Sequence, residues 1–120
     1  MPVPFQLEDD SIVIQATVNS HPVTFVLDTG DAIGPVFTAA DAQRLGLKEG
    51  QEFGVSGAGG ATTSYVTTAD VTLDGSEFAG EPSAIDTNLE GYSLLGLPFF
   101  IRECRWFMFD MDARQLYFGR

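Results

Sequence analysis

Apolar and polar positions alternate through the first third of the chain in the manner of β-structure. Ser11-Ile12-Val13-Ile14-Gln15-Ala16-Thr17-Val18 is β-branched and apolar, Asn19-Ser20-His21 reads as a turn, and Pro22-Val23-Thr24-Phe25-Val26-Leu27 returns as the hairpin partner. Phe25-Val26-Leu27 is apolar without alternation, which predicts a strand covered on both faces. The run breaks at Asp28-Thr29-Gly30-Asp31, and Pro35-Val36-Phe37 follows as a short strand. Thr38 then caps a predicted helix over 39–45, with Asp41 at the capping-box acid position and Gly46 near its end. Further on, 51–56 and 62–73 read as strands joined by Gly57-Ala58-Gly59-Gly60, a hairpin tip rich in glycine. Asp74-Gly75 signals another hairpin turn into a strand over 77–85. Ser93-Leu94-Leu95-Gly96 is an apolar strand with a break, after which Pro98 fits the first turn of a short helix. A closing hairpin runs 106–109, turn 110–114, and 115–118. The pattern predicts an all-β domain with one or two short helices, a single unit over 1–120.

Composition narrows the functions open to such a domain. Seventeen acidic residues against six basic ones give a net charge of −11, a field that repels nucleic acid and anionic lipid surfaces. The acids are scattered, as on a solvated surface. No apolar run approaches the ~20 residues that cross a bilayer. Met1-Pro2-Val3-Pro4-Phe5 lacks the basic and apolar regions of a signal peptide, so a periplasmic or secreted location would require trimming from a longer precursor. Cys104 is the only cysteine and reads as a half-buried structural thiol; His21 is the only histidine and falls at a turn. A zinc site or a Cys–His or Ser–His catalytic pair is therefore not expected, and no cofactor is implied.

Chemistry points instead to Asp28. A carboxylate at the end of a doubly covered strand is costly unless something compensates it. Thr29 offers a hydroxyl to lock the loop, and Gly30 permits close backbone approach to the acid. Taken alone, the tripeptide also reads as an Asx-turn at a strand end.

The order of the remaining parts goes further. Phe25-Val26-Leu27-Asp28-Thr29-Gly30, then Gly57-Ala58-Gly59-Gly60, then Leu94-Leu95-Gly96-Leu97-Pro98-Phe99-Phe100 resembles the retroviral-type and bacterial retropepsin-like aspartic proteases. The closing strands and the opening Pro4-Phe5-Gln6-Leu7 are similar too, so the resemblance spans nearly the whole chain. It implies a retropepsin-like lobe carrying one half of a two-lobed active site. Catalysis would fall to Asp28 with Thr29 and Gly30, and a flap of Gly57, Ala58, Gly59 and Gly60 would close over a protein or peptide substrate in extended form. With a single Asp-Thr-Gly in the chain, the second carboxylate would come from another copy across a twofold axis, with Thr29 of each subunit bonding to the opposite loop.

Two features depart from the family's pattern. The residue after Asp-Thr-Gly, usually small, is Asp31; burying a third carboxylate is costly, so Asp31 is expected to face solvent or cap the turn. The prolines at the N-terminus argue against termini interleaved into one sheet, as retroviral enzymes have them. Apolar cleft walls are expected from Ile33, Val36, Ile85 and Leu97. Two other readings stand beside a homodimeric endopeptidase: a catalytically silent peptide-binding module, and one lobe of a larger two-lobed enzyme.

Overall fold

The computed structural model describes residues 2–57 and 60–120, with side chains described outside 54–63. Ten strands and two helices follow in the order β1 (Val3–Glu8), β2 (Ser11–Val18), β3 (His21–Asp28), β4 (Pro35–Thr38), α1 (Ala39–Leu45), β5 (Glu52–Gly57), β6 (Gly60–Leu73), β7 (Ser76–Asp86), β8 (Ser93–Gly96), α2 (Leu97–Glu103), β9 (Trp106–Asp110) and β10 (Gln115–Gly119). Tight reversals come where the backbone enters the left-handed region: at Asn19-Ser20 (φ 49° and 70°), at Asp74-Gly75 (44° and 90°), and at Asp9-Asp10 (49° and 65°). Two successive positive-φ residues are the turn geometry whose twist matches that of antiparallel strands.

The sheet runs β5-β6-β7-β4-β8-β3-β2-β1-β10-β9, and a further pairing of β6 with β2 (Thr17 opposite Thr72, Val18 opposite Val71) closes its middle into a barrel. Closure removes the edges of the six strands in the ring and leaves β5 and β9 as the outer ones. The interior is aromatic. Phe25, Phe37, Phe78, Phe99, Phe100, Ile14, Leu95 and Leu116 are essentially without solvent exposure, and Phe99 packs edge-on against both Phe78 and Phe100 with ring centroids 5.1 Å apart. The N-terminal strand does not wait for a partner subunit: Val3 and Pro4 pair with Leu116 and Gln115, and Phe5 to Glu8 pair with β2.

α1 begins as its sequence predicts, with the Thr38 hydroxyl accepting from the Asp41 N–H at 3.0 Å and Gly46 ending it at φ 70°. The capping box itself is completed by a third residue. The Ser93 hydroxyl on β8 accepts from the Thr38 N–H at 3.2 Å and donates to Asp41 Oδ2 at 2.6 Å, so the acid reaches the cap through a buried serine. This ties β8, the strand beside the Asp28 loop, to α1. Ser93→Ala leaves the Thr38 N–H and an Asp41 oxygen without this partner and should cost about 1–3 kcal/mol in urea denaturation, with the m-value unchanged.

Candidate active site

β3 and β8 run parallel, with Leu27 beside Leu95 and Asp28 beside Gly96. The apolar pair buries the strand ends, and the next residue on each strand is an acid on one side and a glycine on the other. Asp28 is half-buried, while Thr29 and Gly30 after it are exposed. Asp28 Oδ1 accepts the Gly30 N–H at 2.8 Å, an Asx-turn that fixes the carboxylate. A Cβ on Gly30 would lie 3.3 Å from that same oxygen, so the glycine is where the acid needs clearance.

Asp31 caps the turn, as expected, but it does so from inside. Its Oδ1 accepts from the Ile33 N–H at 2.7 Å and the Gly34 N–H at 3.2 Å, its own N–H donates to the Asp28 carbonyl at 3.1 Å, and the residue is only 9% exposed. Its Oδ2 is buried with no hydrogen-bond partner among the described residues. Burial raises the Asp31 pKa above the ordinary carboxylate value, the two N–H donors oppose that rise, and Asp28 adds to it. The expectation that an inward carboxylate would be excluded is corrected by the room that Gly96 leaves. A Cβ at Gly96 would fall 2.6 Å from the Asp31 Cγ and carbonyl oxygen.

A cavity of about 280 Å³ opens in front of this loop. Ile33 and Val36 line it as anticipated, joined by Phe53, Ala84 and Leu94. Ile85 and Leu97 do not line it. On β7 and β8 successive side chains face opposite ways, so Ala84 and Leu94 meet the cleft, while Ile85 turns to the hollow beside α1. Ser64 and Asp86 are cleft residues that the sequence pattern did not single out. Of the four flap residues, Gly57 ends β5 and Gly60 begins β6, paired with each other; Ala58 and Gly59 lie outside the described residues. No cluster of His, Cys, Asp and Glu able to hold a metal ion occurs among the described residues. Cys104 is half-buried and its thiol pKa is pushed up by burial, so it is a poor nucleophile.

Behind the loop lies a second set of acids that sequence reasoning missed. Glu81 on β7 is fully buried. Strict alternation would send Phe78 and Glu81, three positions apart, to opposite faces. An irregularity opposite Ala69 and Val71, with Gly80 at φ 64°, turns both inward. Glu81 Oε2 faces Arg102 Nη2 at 3.4 Å, and Oε1 has no donor among the described residues. The Glu81 pKa is raised to about 7, by burial first and then by the Glu103 carboxyl beside it, with Arg102 opposing. Because the folded state holds this proton more tightly than the unfolded chain, the resulting stability is complete below about pH 4.5. It is lost as pH rises toward 7. Urea denaturation should therefore show the wild type losing about 3 kcal/mol more than Glu81→Gln between pH 4.5 and 8. Gly96→Ala should destabilise the protein by about 1–3 kcal/mol at any pH, because the added methyl displaces Asp31.

A family model described as gag-polyprotein putative aspartyl protease matches residues 14–102. Among solved structures, the chain is similar to a retropepsin-like aspartic protease from Rickettsia conorii, at 26% identity and a TM-score of 0.69, covering 98% of this chain and 88% of that one. The EIAV protease complexed with the inhibitor HBY-793 aligns at 21% identity and a TM-score of 0.62, covering 81% of this chain and 91% of that one. The retroviral protease-like domain of Ddi1 from Leishmania major aligns at 17% identity and a TM-score of 0.67, covering 90% and 87%. A search of curated proteins finds no match. The family model spans the Asp28 strand, the cleft and the β8–α2 crossing that sets Gly96 beside the acid, and on that match the chain belongs to the retropepsin-like, gag-type aspartic protease family.

Proposed function

We propose that this chain is an aspartic endopeptidase whose active site is assembled from two copies, each contributing Asp28. The observation that carries the reading is the setting of that side chain. It is a half-buried carboxylate, fixed by the Gly30 N–H, at the rim of a cleft with apolar walls, and the chain holds no second Asp-Thr-Gly. Two carboxylates brought within about 3 Å share one proton, because both cannot ionise. The ionised partner acts as general base on a water between them, and the protonated one polarises the scissile carbonyl. Water attacks directly, so no acyl-enzyme forms. Thr29, exposed beside the acid, would reach across the axis, and the hairpin around 57–60 would close on an extended peptide.

Charge and apolar exposure both favour a second copy at the β9 edge. Trp106 and Met108 alternate outward on this outer strand at 55% and 51% exposure, with Ile101 and Met111 close by in sequence and also exposed. Residues 101–120 carry Arg102, Arg105, Arg114 and Arg120 against Glu103, Asp110 and Asp112, while the rest of the chain is heavily acidic. Two copies of net charge −11 repel least where this end faces its mate.

Asp28→Asn should abolish cleavage of a peptide library between pH 3 and 8, a fall of about 10³-fold or more, with the fold unchanged by circular dichroism. Undiminished cleavage by that variant would end the proposal. A pepstatin-like transition-state mimic should bind the wild type, and turnover should peak at acidic pH. Emission from Trp106, the single tryptophan, should shift to the blue as concentration rises at pH 5, in step with dimer formation by sedimentation. The buried carboxylate of Asp31 beside the Asp28 loop favours a second reading, a peptide-binding module without turnover. A strict monomer at pH 4 and pH 7 that cleaves nothing would select it.

A further inference from the structure

Arg102 is strung between two places that the peptidase mechanism leaves unconnected. Its Nη1 donates to the Ile33 carbonyl of the Asp28 loop at 2.9 Å. Its Nη2 reaches Glu81 Oε2 and the Pro82 carbonyl on β7, both at 3.4 Å, and packs against Gly34 so closely that a Cβ there would lie 2.6 Å away. From Ile33 the contacts continue inward. The Ile33 and Gly34 N–H groups hold Asp31, the Asp31 N–H holds the Asp28 carbonyl, and the Gly96 N–H holds the Gly34 carbonyl at 2.9 Å. An unbroken series of bonds thus runs from a fully buried glutamate to the residue proposed as catalytic.

We infer that Glu81 and Arg102 form a proton-operated anchor for the active-site loop, which grips the Ile33 carbonyl while the buried Glu81 is protonated and slackens when that proton leaves. The inference rests on the proposed peptidase reading, which it deepens by adding positioning residues to the same site. With its proton, Glu81 carries no charge into the interior and can donate to the Glu103 carboxyl beside it, so the otherwise orphaned Oε1 costs little. Without it, two like charges sit side by side and one is wholly enclosed, which is expensive. Among the described residues the Arg102 guanidinium is the cation in contact with Glu81, and the 3.4 Å contact leaves room to shorten toward the usual 2.8 Å of a charge-assisted bond. Closing it draws Arg102 off Ile33, and the loop loses its outer support.

The charged and titratable groups around the anchor are Glu81 from β7, Glu103 and Arg102 from α2, Asp31 with Asp28 behind it from the loop, and Cys104 and Arg120 beyond the end of α2. Glu81 holds its proton up to about pH 7, well above the range of an isolated glutamate. Acid therefore tightens the anchor and neutral pH releases it, in the same direction as the dyad but at a separate group.

The test uses the whole 120-residue chain and has an arm that needs no turnover. In wild-type protein, the amide resonances of Ile33, Gly34 and Gly96 should move with a midpoint near pH 7. In Glu81→Gln, which mimics the protonated acid in size and charge, that transition should vanish. Glu103→Gln, at a half-buried position that tolerates the change, should move it to lower pH, because an amide donor stabilises the Glu81 charge. In parallel, the fall in kcat/KM from pH 5 to pH 8 should be roughly tenfold shallower in Glu81→Gln than in the wild type, on the scale of a small misplacement of a reacting group. Wild-type amides that stay flat from pH 6 to 8, or a transition that both variants leave unmoved, would overturn the anchor even in an active protease. Absent cleavage by wild-type protein with the amide transition intact would overturn the peptidase reading alone.

Discussion

Where β3 runs alongside β8, one register decides everything around the acid: Leu27 beside Leu95, Asp28 beside Gly96. A parallel pair buried on its inner face and half-buried on the cleft side supplies two strand ends at the same level. One end projects a carboxylate toward the cleft, and the other has no side chain to crowd the loop that follows. Shifting the register by one residue would place Leu95 against Asp28 and turn each side chain on β8 to the opposite face. The buried contact of Ser93 with Thr38 and Asp41 pins β8 to the start of α1, and the backbone bond from Gly96 to Gly34 pins its other end. The acid loop is thus held by elements distant in sequence, which is how a loop gains the rigidity that chemistry requires.

Space left by glycine is what permits Asp31 to turn inward. Burial of a third carboxylate opposes folding, and two backbone N–H groups on one of its oxygens offset only part of that cost. Strain of this kind is tolerated where the surrounding structure over-determines the conformation, and it concentrates at functional sites. Here the determinants are Gly96, whose missing Cβ makes the room, and Arg102, which lies near enough to lower the Asp31 pKa against the effect of burial.

The strand pattern was legible because its signals are local. Turn residues at Asn19-Ser20 and Asp74-Gly75, the cap at Thr38 and the proline at the start of α2 all act over a few positions, and the elements lie where those residues put them. The loop at Asp28 was legible for the same reason, since the run of apolar residues before it and the glycine after it are contiguous. What escaped is whatever depends on which way a side chain turns. Ile85 and Leu97 have the right chemistry for a cleft wall, but Ala84 and Leu94 occupy the wall by strand parity. Asp31 faces inward because of a glycine 65 positions later. Glu81 reads as one more surface acid in a chain with seventeen, and only the irregularity at Gly80 carries it into the interior.

An acidic chain whose proposed site needs a second copy faces one electrostatic problem at two scales. Between copies, a charge of −11 on each opposes the approach that would join two Asp28 side chains, and protonation relieves it. Within a copy, Asp31 and Glu81 are buried near one guanidinium, that of Arg102, and burial raises the pKa of both. At both scales the problem is eased by lowering the pH. On the proposed reading, acidity favours assembly, loop anchoring and a shared-proton dyad together. The same groups that make the folded chain costly at neutral pH confine its proposed chemistry to conditions where those charges are paired with protons.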